Sequence, residues 1–277
     1  VTTAFSLFAT LAVSAPRLIP QSPNLAAKSW ILIDAQSGHV IVENNPDEML
    51  PPASLTKMMT SYIAAEQIDT GNIALTDDVL ISKKAWRKGG SKMYIREGTR
   101  VQFEDLLKGV IIQSGNDASI AVSEHVAGSE DAFADLMNQT AITLGMNNSH
   151  FMNATGWPAN DHYTTASDLS KLARAIIYDH PDHYSIYAEK EFTYNNIRQP
   201  NRNKLLWRDS SVDGLKTGHT NAAGYCLVAS AKRNGMRLIS VVMGTKSIEA
   251  RAAESQKLLT YGFRFFETVK SYSAQEA

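Results

Sequence analysis

The residues whose types and spacing could do chemistry begin with Ser54 and Lys57, in Pro51-Pro52-Ala53-Ser54-Leu55-Thr56-Lys57-Met58-Met59-Thr60. Proline costs little at a helix start, where the first amides have no intrahelical partner. Ser54 is therefore expected at or near a helix N-terminus, where backbone N–H groups and the macrodipole favour negative charge. Lys57 follows one turn later on the same face. A serine hydroxyl is a weak nucleophile until a base takes its proton, and an amine does so if its own pKa is lowered. Serine is also a common N-cap and lysine common on helices. This S-x-x-K therefore needs partners elsewhere in the chain.

Two stretches qualify. Ile111-Ile112-Gln113-Ser114-Gly115-Asn116-Asp117 leads apolar residues into a short polar turn between two helical patterns. The turn offers a hydroxyl and a carboxamide together, a donor–acceptor pair able to relay a proton and hold a peptide. Ser22-Pro23-Asn24 has the same S-x-N spacing without that setting. Val212-Asp213-Gly214-Leu215-Lys216-Thr217-Gly218-His219-Thr220 supplies fixed positive charge, a hydroxyl and a glycine that lets a ligand approach the backbone. Those are the needs of an anion-binding strand edge; the plainer reading is an exposed basic turn. No G-x-x-x-x-G-K is present, which excludes a P-loop.

The elements that must position these residues follow from periodicity. Trp30–Asp34 and Val40–Val42 read as a β-hairpin turned at Ser37-Gly38. The Ser54 helix runs to about Gln67, and Val79–Ile81 and Met93–Ile95 are short strand candidates flanking Gly89-Gly90. Phe103, Leu106, Leu107, Val110 and Ile111 recur at helical spacing. Further helices are expected after Gly115, over Asp131–Leu144 and over Thr165–Tyr178. Tyr225–Lys232 and Met236–Met243 are strands joined at Asn234-Gly235, a strong hairpin signal, and a long helix covers about Ile248–Thr268. Strands at both ends with helices between them imply an α+β fold: an antiparallel sheet built from both termini, with a helical subdomain at about 82–165.

The chain has 277 residues, 44% of them apolar, and a net charge of −1. It can bury a real core, and no long-range field points to nucleic acid or an anionic membrane surface. The single cysteine, Cys226, excludes an internal disulfide and lies in an apolar run as an inert core thiol. Residues 4–15 carry no charge and are too short to span a bilayer. They are read, within 1–24, as the remnant of a secretory signal and a lead-in, which implies export. Residues 25–270 are read as one catalytic domain, and 271–277 as the start of a linker. His180-Pro181-Asp182-His183 has weak metal spacing but is taken as solvated surface, with no metal.

S-x-x-K, S-x-N and K-T-G in this order resemble the penicilloyl serine transferases. The longer strings around them, and the terminal Gly262-Phe263-Arg264-Phe265-Phe266-Glu267, are more closely similar to the D-alanyl-D-alanine carboxypeptidases, low-molecular-mass penicillin-binding proteins of the exported kind. The resemblance covers roughly Leu25–Val269 and implies a serine β-lactamase/transpeptidase-like fold without cofactor. It implies a substrate, the peptidoglycan stem peptide ending in D-Ala-D-Ala, and β-lactams as mimics of it. Ser54 would be the nucleophile and Lys57 the base, its pKa lowered by burial and by Lys216. Backbone N–H groups of Ser54 and His219 would hold the oxyanion, a device worth about 3 kcal/mol per donor. Ser114 would pass a proton to the leaving nitrogen and Asn116 would orient Lys57 and peptide. Lys216 and Thr217, beside Gly218, would bind the terminal carboxylate. Arg202 and Arg251 occupy positions that in the family lie near that carboxylate, and a guanidinium suits it bidentately. The family further implies a periplasmic enzyme, peripheral on the inner membrane through a C-terminal helix beyond this sequence. Three rivals remain open: a class A β-lactamase, a non-catalytic β-lactam sensor or cell-wall-binding module, and an endopeptidase. The first is disfavoured because Ser114-Gly115-Asn116 replaces S-D-N and no Glu-x-x-Leu-Asn precedes Lys216.

Overall fold

The computed structural model describes residues 19–269; the stretch read as a signal and the tail read as a linker lie outside the described residues. Strands β1 (Ser29–Asp34) and β2 (Val40–Asn44) form the expected hairpin. Asp34 fixes its turn by accepting from the backbone N–H and hydroxyl of Ser37, both at 2.7 Å. A 3-10 turn, Ala53–Leu55, runs directly into α1 (Thr56–Asp69). Strand β3 (Asp78–Leu80), helix α2 (Lys83–Arg87) and strand β4 (Arg100–Gln102) follow, with β3 and β4 paired. Helix α3 (Phe103–Lys108) widens into a π turn, Gly109–Gln113, ahead of α4 (Asn116–Ala127), α5 (Glu130–Thr143), α6 (Ala166–Asp179) and the short α7 (Pro181–Tyr184). A hairpin of β5 (Glu191–Tyr194) and β6 (Ile197–Pro200) and the short α8 (Leu205–Arg208) lead to β7 (Val212–Thr220), β8 (Gly224–Arg233), β9 (Met236–Thr245) and α9 (Ile248–Phe265).

The main sheet is antiparallel in the order β2-β1-β9-β8-β7, so the N-terminal hairpin docks on the C-terminal strands. Its central strands are buried on both faces. Trp30 and Leu32 pack with Leu258, Leu259 and Tyr261 of α9, while Ile31 and Ile33 face the helical side with Met58 and Ile63 of α1. That two-sided burial is why these strands read as continuous apolar runs rather than alternating ones. Helix α1 lies at the centre, buried continuously from Thr56 to Ala65. A helix buried all round is apolar all round unless each polar side chain finds a partner. The polar residues of α1 do: Thr60 donates to Ala154 O at 2.8 Å, and Ser61 bonds the Tyr187 hydroxyl at 2.5 Å. Among the described residues, no helix is long and apolar enough to cross a membrane.

Three expectations change. Met93–Ile95 is not a strand: its N–H groups point at the buried Asp117 carboxylate, at 2.9 Å from Met93 and Tyr94 and 3.3 Å from Ile95. Val79–Ile81 does contribute a strand, β3, which pairs with β4. The 180–183 segment is solvated surface only at Pro181 and Asp182. His180 is buried and its Nδ1 meets Asp69 Oδ2 at 2.5 Å, while His183 Nε2 meets Oδ1 at 3.1 Å, pinning the end of α1. Helix α9 stops at Phe265, short of Thr268. Cys226 is a core thiol as expected, and burial pushes it up to about 11.

Candidate active site

Ser54 sits on the 3-10 turn at the head of α1, and Lys57 one turn inside the helix, fully buried. Lys57 Nζ lies 3.1 Å from Ser54 Oγ, 2.7 Å from Asn116 Oδ1 and 2.6 Å from Thr155 O. Burial lowers its pKa to about 7, helped by the charge of Arg202 and, less, of Lys88, and opposed by Asp117. Lys216 is not among those causes; it is itself held well below the ordinary lysine value by burial first and then by Lys57, Arg202 and Arg251. The geometry selects the proton to be moved. A neutral amine keeps two N–H donors and one lone pair. Asn116 Oδ1 and Thr155 O only accept, so they take the two donors. The lone pair is left for the one neighbour able to donate, Ser54 Oγ–H.

The S-x-N residues arrive from the other side. The π turn ends at Ser114, held at φ 64° and ψ 36°, a left-handed conformation uncommon for a residue with a side chain. Wide turns of this type recur at functional sites. Here the turn brings the Ser114 hydroxyl to 2.8 Å from Lys216 Nζ. Asn116 opens α4, and its Nδ2 donates to Gly89 O at 2.8 Å, which leaves Oδ1 aimed at Lys57. The next residue, Asp117, anchors the 93–95 backbone beside it.

Strand β7 forms the sheet edge along the site. Lys216, Thr217 and Gly218 are buried there, and His219 is exposed with its ring stacked on Tyr225 at 3.9 Å. Arg251, buried at the start of α9, donates to Gly218 O at 3.1 Å. Two clefts meet at Ser54. One, of about 270 Å³, is lined by Ser114, Thr217, His219, Arg202 and Arg251. The other, of about 360 Å³, runs past Ser91, Asn116, Gly156 and Trp157. The structure thus brings together every residue singled out by the three motifs, and both arginines with them.

Sequence reasoning missed the loop that closes the site from below. Asn153 Oδ1 gathers Thr155 N at 3.1 Å, Gly156 N at 2.9 Å and Trp157 N at 3.1 Å. The loop so folded presents Thr155 O to Lys57. Gly156 has φ +81°, and a Cβ there would stand 1.7 Å from Ala53 O, immediately before the serine. Only glycine allows that approach. His162 ties the loop to α1 through Thr56 Oγ1 at 3.0 Å, and burial lowers its pKa to about 4, so it is neutral at pH 7. The signal was present as Asn153-Ala154-Thr155-Gly156, the composition of an Asx turn.

Comparison with known proteins agrees with this arrangement. A family model described as D-alanyl-D-alanine carboxypeptidase (Peptidase S11) matches residues 17–247. The chain is 51% identical over 270 residues to D-alanyl-D-alanine carboxypeptidase DacC of Escherichia coli K12, covering 95% of this chain and 67% of that one. It spans about two thirds of the length of the curated relatives it matches. The crystal structure of D-alanyl-D-alanine carboxypeptidase DacD from Francisella tularensis superposes with a TM-score of 0.89 at 39% identity, over 95% of this chain and 77% of that one. Penicillin-binding protein D2 of Listeria monocytogenes, in an ampicillin-bound form, gives a TM-score of 0.81 at 28% identity, over 88% of this chain and all of that one. The fold is that of the β-lactamase/transpeptidase superfamily. With its serine on the 3-10 turn that opens a buried helix and its lysine one turn further on, the chain belongs to the D-alanyl-D-alanine carboxypeptidase family of serine peptidases.

Proposed function

We propose that this protein removes the terminal D-alanine from peptidoglycan stem pentapeptides through an acyl-enzyme on Ser54, and that β-lactams acylate the same serine. The reading is carried by Lys57: a fully buried amine with pKa about 7 whose two other partners are pure acceptors, leaving its lone pair to Ser54 Oγ–H at 3.1 Å.

Ser54 gives its proton to Lys57 Nζ as Oγ bonds the carbonyl carbon of the penultimate residue. The backbone N–H groups of Ser54 and His219 take the developing oxyanion, which is where preorganised donors act most strongly. The C–N bond then breaks, and the leaving nitrogen receives a proton from Ser114 Oγ, resupplied by Lys216 Nζ at 2.8 Å. D-Alanine departs. The proton that Lys57 took from Ser54 replaces the one that Lys216 gave up, so Lys57 is neutral again; water then attacks the ester, Lys57 takes its proton, and that proton passes to Ser54 Oγ as the C–O bond breaks. The substrate's terminal carboxylate lies in the cleft of Thr217, Arg202 and Arg251. Arg251 contributes mainly by fixing the Gly218 carbonyl, and Arg202, at the cleft mouth, supplies the exposed guanidinium. A β-lactam follows the first half of this path, but its leaving nitrogen stays tethered to the acyl group. We place the enzyme outside the cytoplasm, where this substrate is found.

The test is D-alanine release from L-Ala-γ-D-Glu-L-Lys-D-Ala-D-Ala. Release by the wild-type enzyme, abolished in Ser54→Ala, is expected. Rapid penicillin hydrolysis without any D-alanine release overturns the reading in favour of a β-lactamase.

A further inference from the structure

The two clefts that meet at Ser54 are unequal in what the carboxypeptidase reading asks of them. One takes the departing D-alanine and its carboxylate. The other lies on the acyl side, where the rest of the stem peptide must run; no lysine or arginine lines it, and a cation stands beside it against the ring of Trp157. Trp157 lines it and is 47% exposed. Its ring rests on the Gly89-Gly90 backbone: a Cβ at Gly90 would lie 3.2 Å from Cζ3, and one at Gly89 3.7 Å from Cη2. Lys88 Nζ sits 5.2 Å from the centre of that ring. A cation over an indole face is held in place without being neutralised.

Residues 83–92 carry Lys83, Lys84, Arg87, Lys88 and Lys92 and no acid, in a chain whose net charge is −1. Part of that charge is already matched. Lys84 pairs with Glu130 at 2.9 Å and Lys92 donates to Trp86 O at 2.7 Å. Lys88 is different: it is half-buried beside the cleft and, among the described residues, has no carboxylate in salt-bridge contact. Its charge also reaches Lys57.

We propose that Lys88 and Trp157 form a subsite for a carboxylate of the stem peptide on the acyl side of the scissile bond. The inference rests on the carboxypeptidase reading. The indole supports the aliphatic part of the peptide while the ammonium meets the acid, an arrangement that favours acidic stem peptides over amidated ones. Two substrate carboxylates have the right chemistry: the α-carboxylate of γ-linked D-glutamate, and the side-chain carboxylate of a diaminopimelate in the third position.

Three pentapeptides separate them: one with γ-D-Glu and L-Lys, one with its D-isoglutamine amide and L-Lys, and one with D-isoglutamine and diaminopimelate. In the wild-type enzyme, kcat/KM for at least one acidic peptide should exceed that for the amidated lysine peptide about fivefold or more, and added salt should reduce the ratio. In Lys88→Gln the ratio should fall to about 1, and Lys88→Arg should restore it. Any change that Lys88→Gln causes in Lys57 affects all three peptides alike and cancels in the ratio. The penicillin acylation rate of each variant reports that the nucleophile is intact. Equal kcat/KM for acidic and amidated peptides in the wild type, or a ratio that survives Lys88→Gln, overturns the subsite. Absence of D-alanine release from all three overturns the carboxypeptidase reading itself.

Discussion

At the scale of the residue, the chemistry turns on one amine. Lys57 acts as a base only when neutral, and burial lowers its pKa to about 7. Acylation of Ser54 by penicillin should therefore rise with pH, falling about tenfold per unit below pH 7 and levelling above it. Arg202 is the leading charge that lowers Lys57. Removing it in Arg202→Gln should raise the Lys57 pKa and move the acid limb of the rate profile to higher pH; an unmoved limb would show that Arg202 acts on substrate alone. A second residue test is steric. In Gly156→Ala the new Cβ meets Ala53 O at 1.7 Å from a φ of +81°. Because backbone meets backbone, no side chain can swing aside, and acylation should slow by at least about 100-fold, equivalent to about 3 kcal/mol.

At the scale of the element, the serine and lysine motif was legible because Ser54 and Lys57 fall within four consecutive positions that run from the 3-10 turn into α1. The approach of Ser114 and Asn116 could only be implied by resemblance, since it depends on where the π turn ends. The error over Met93–Ile95 has the same origin. An apolar β-like string predicts a strand when its amides have no better acceptor, and the acceptor, Asp117, lies more than twenty residues on. That carboxylate is the bolt between α4 and the 89–95 segment that lines the acyl-side cleft. Asp117→Ala would leave the buried N–H groups of Met93 and Ile95, and the half-buried one of Tyr94, without this acceptor. It should lower stability by about 3 kcal/mol or more in urea unfolding, and Asp117→Asn should cost less because its Oδ1 still accepts.

At the scale of the whole molecule, the sheet was readable from its ends. The Asn234-Gly235 turn fixes β8 against β9, and the apolar run of β1 finds the only kind of place it can occupy, the middle of a sheet covered on both sides. The β5–β6 hairpin was missed: Phe192 and Tyr194 alternate with Glu191 and Thr193 in β5, but β6 buries Gln199 where an apolar residue would mark a strand, and the turn is Asn195-Asn196 rather than Asn-Gly. Within the C-terminal part of the chain, Asp209 ties the segment between α8 and β7 to β8 and α9, meeting Ser211, Arg233 at the end of β8 and Gln256 of α9. Burial raises its pKa, but these partners outweigh burial and bring it down to about 2. A carboxyl whose folded pKa is below its unfolded value adds stability above the unfolded value, near 3.8, and loses it as pH falls toward 2. Asp209→Asn should therefore destabilise by about 2 kcal/mol at pH 7, and the gap between variant and wild type in urea midpoint should shrink between pH 4 and pH 2.5. The fold and its locks serve one claim, that Ser54 becomes acylated with Lys57 as its base. The most direct test is intact mass after brief exposure to penicillin, with peptide mapping of the product. The account predicts a lasting gain of one penicillin mass located on Ser54, absent in Ser54→Ala and strongly slowed in Lys57→Ala. An adduct on any other residue, or an equally fast adduct without Lys57, would contradict it.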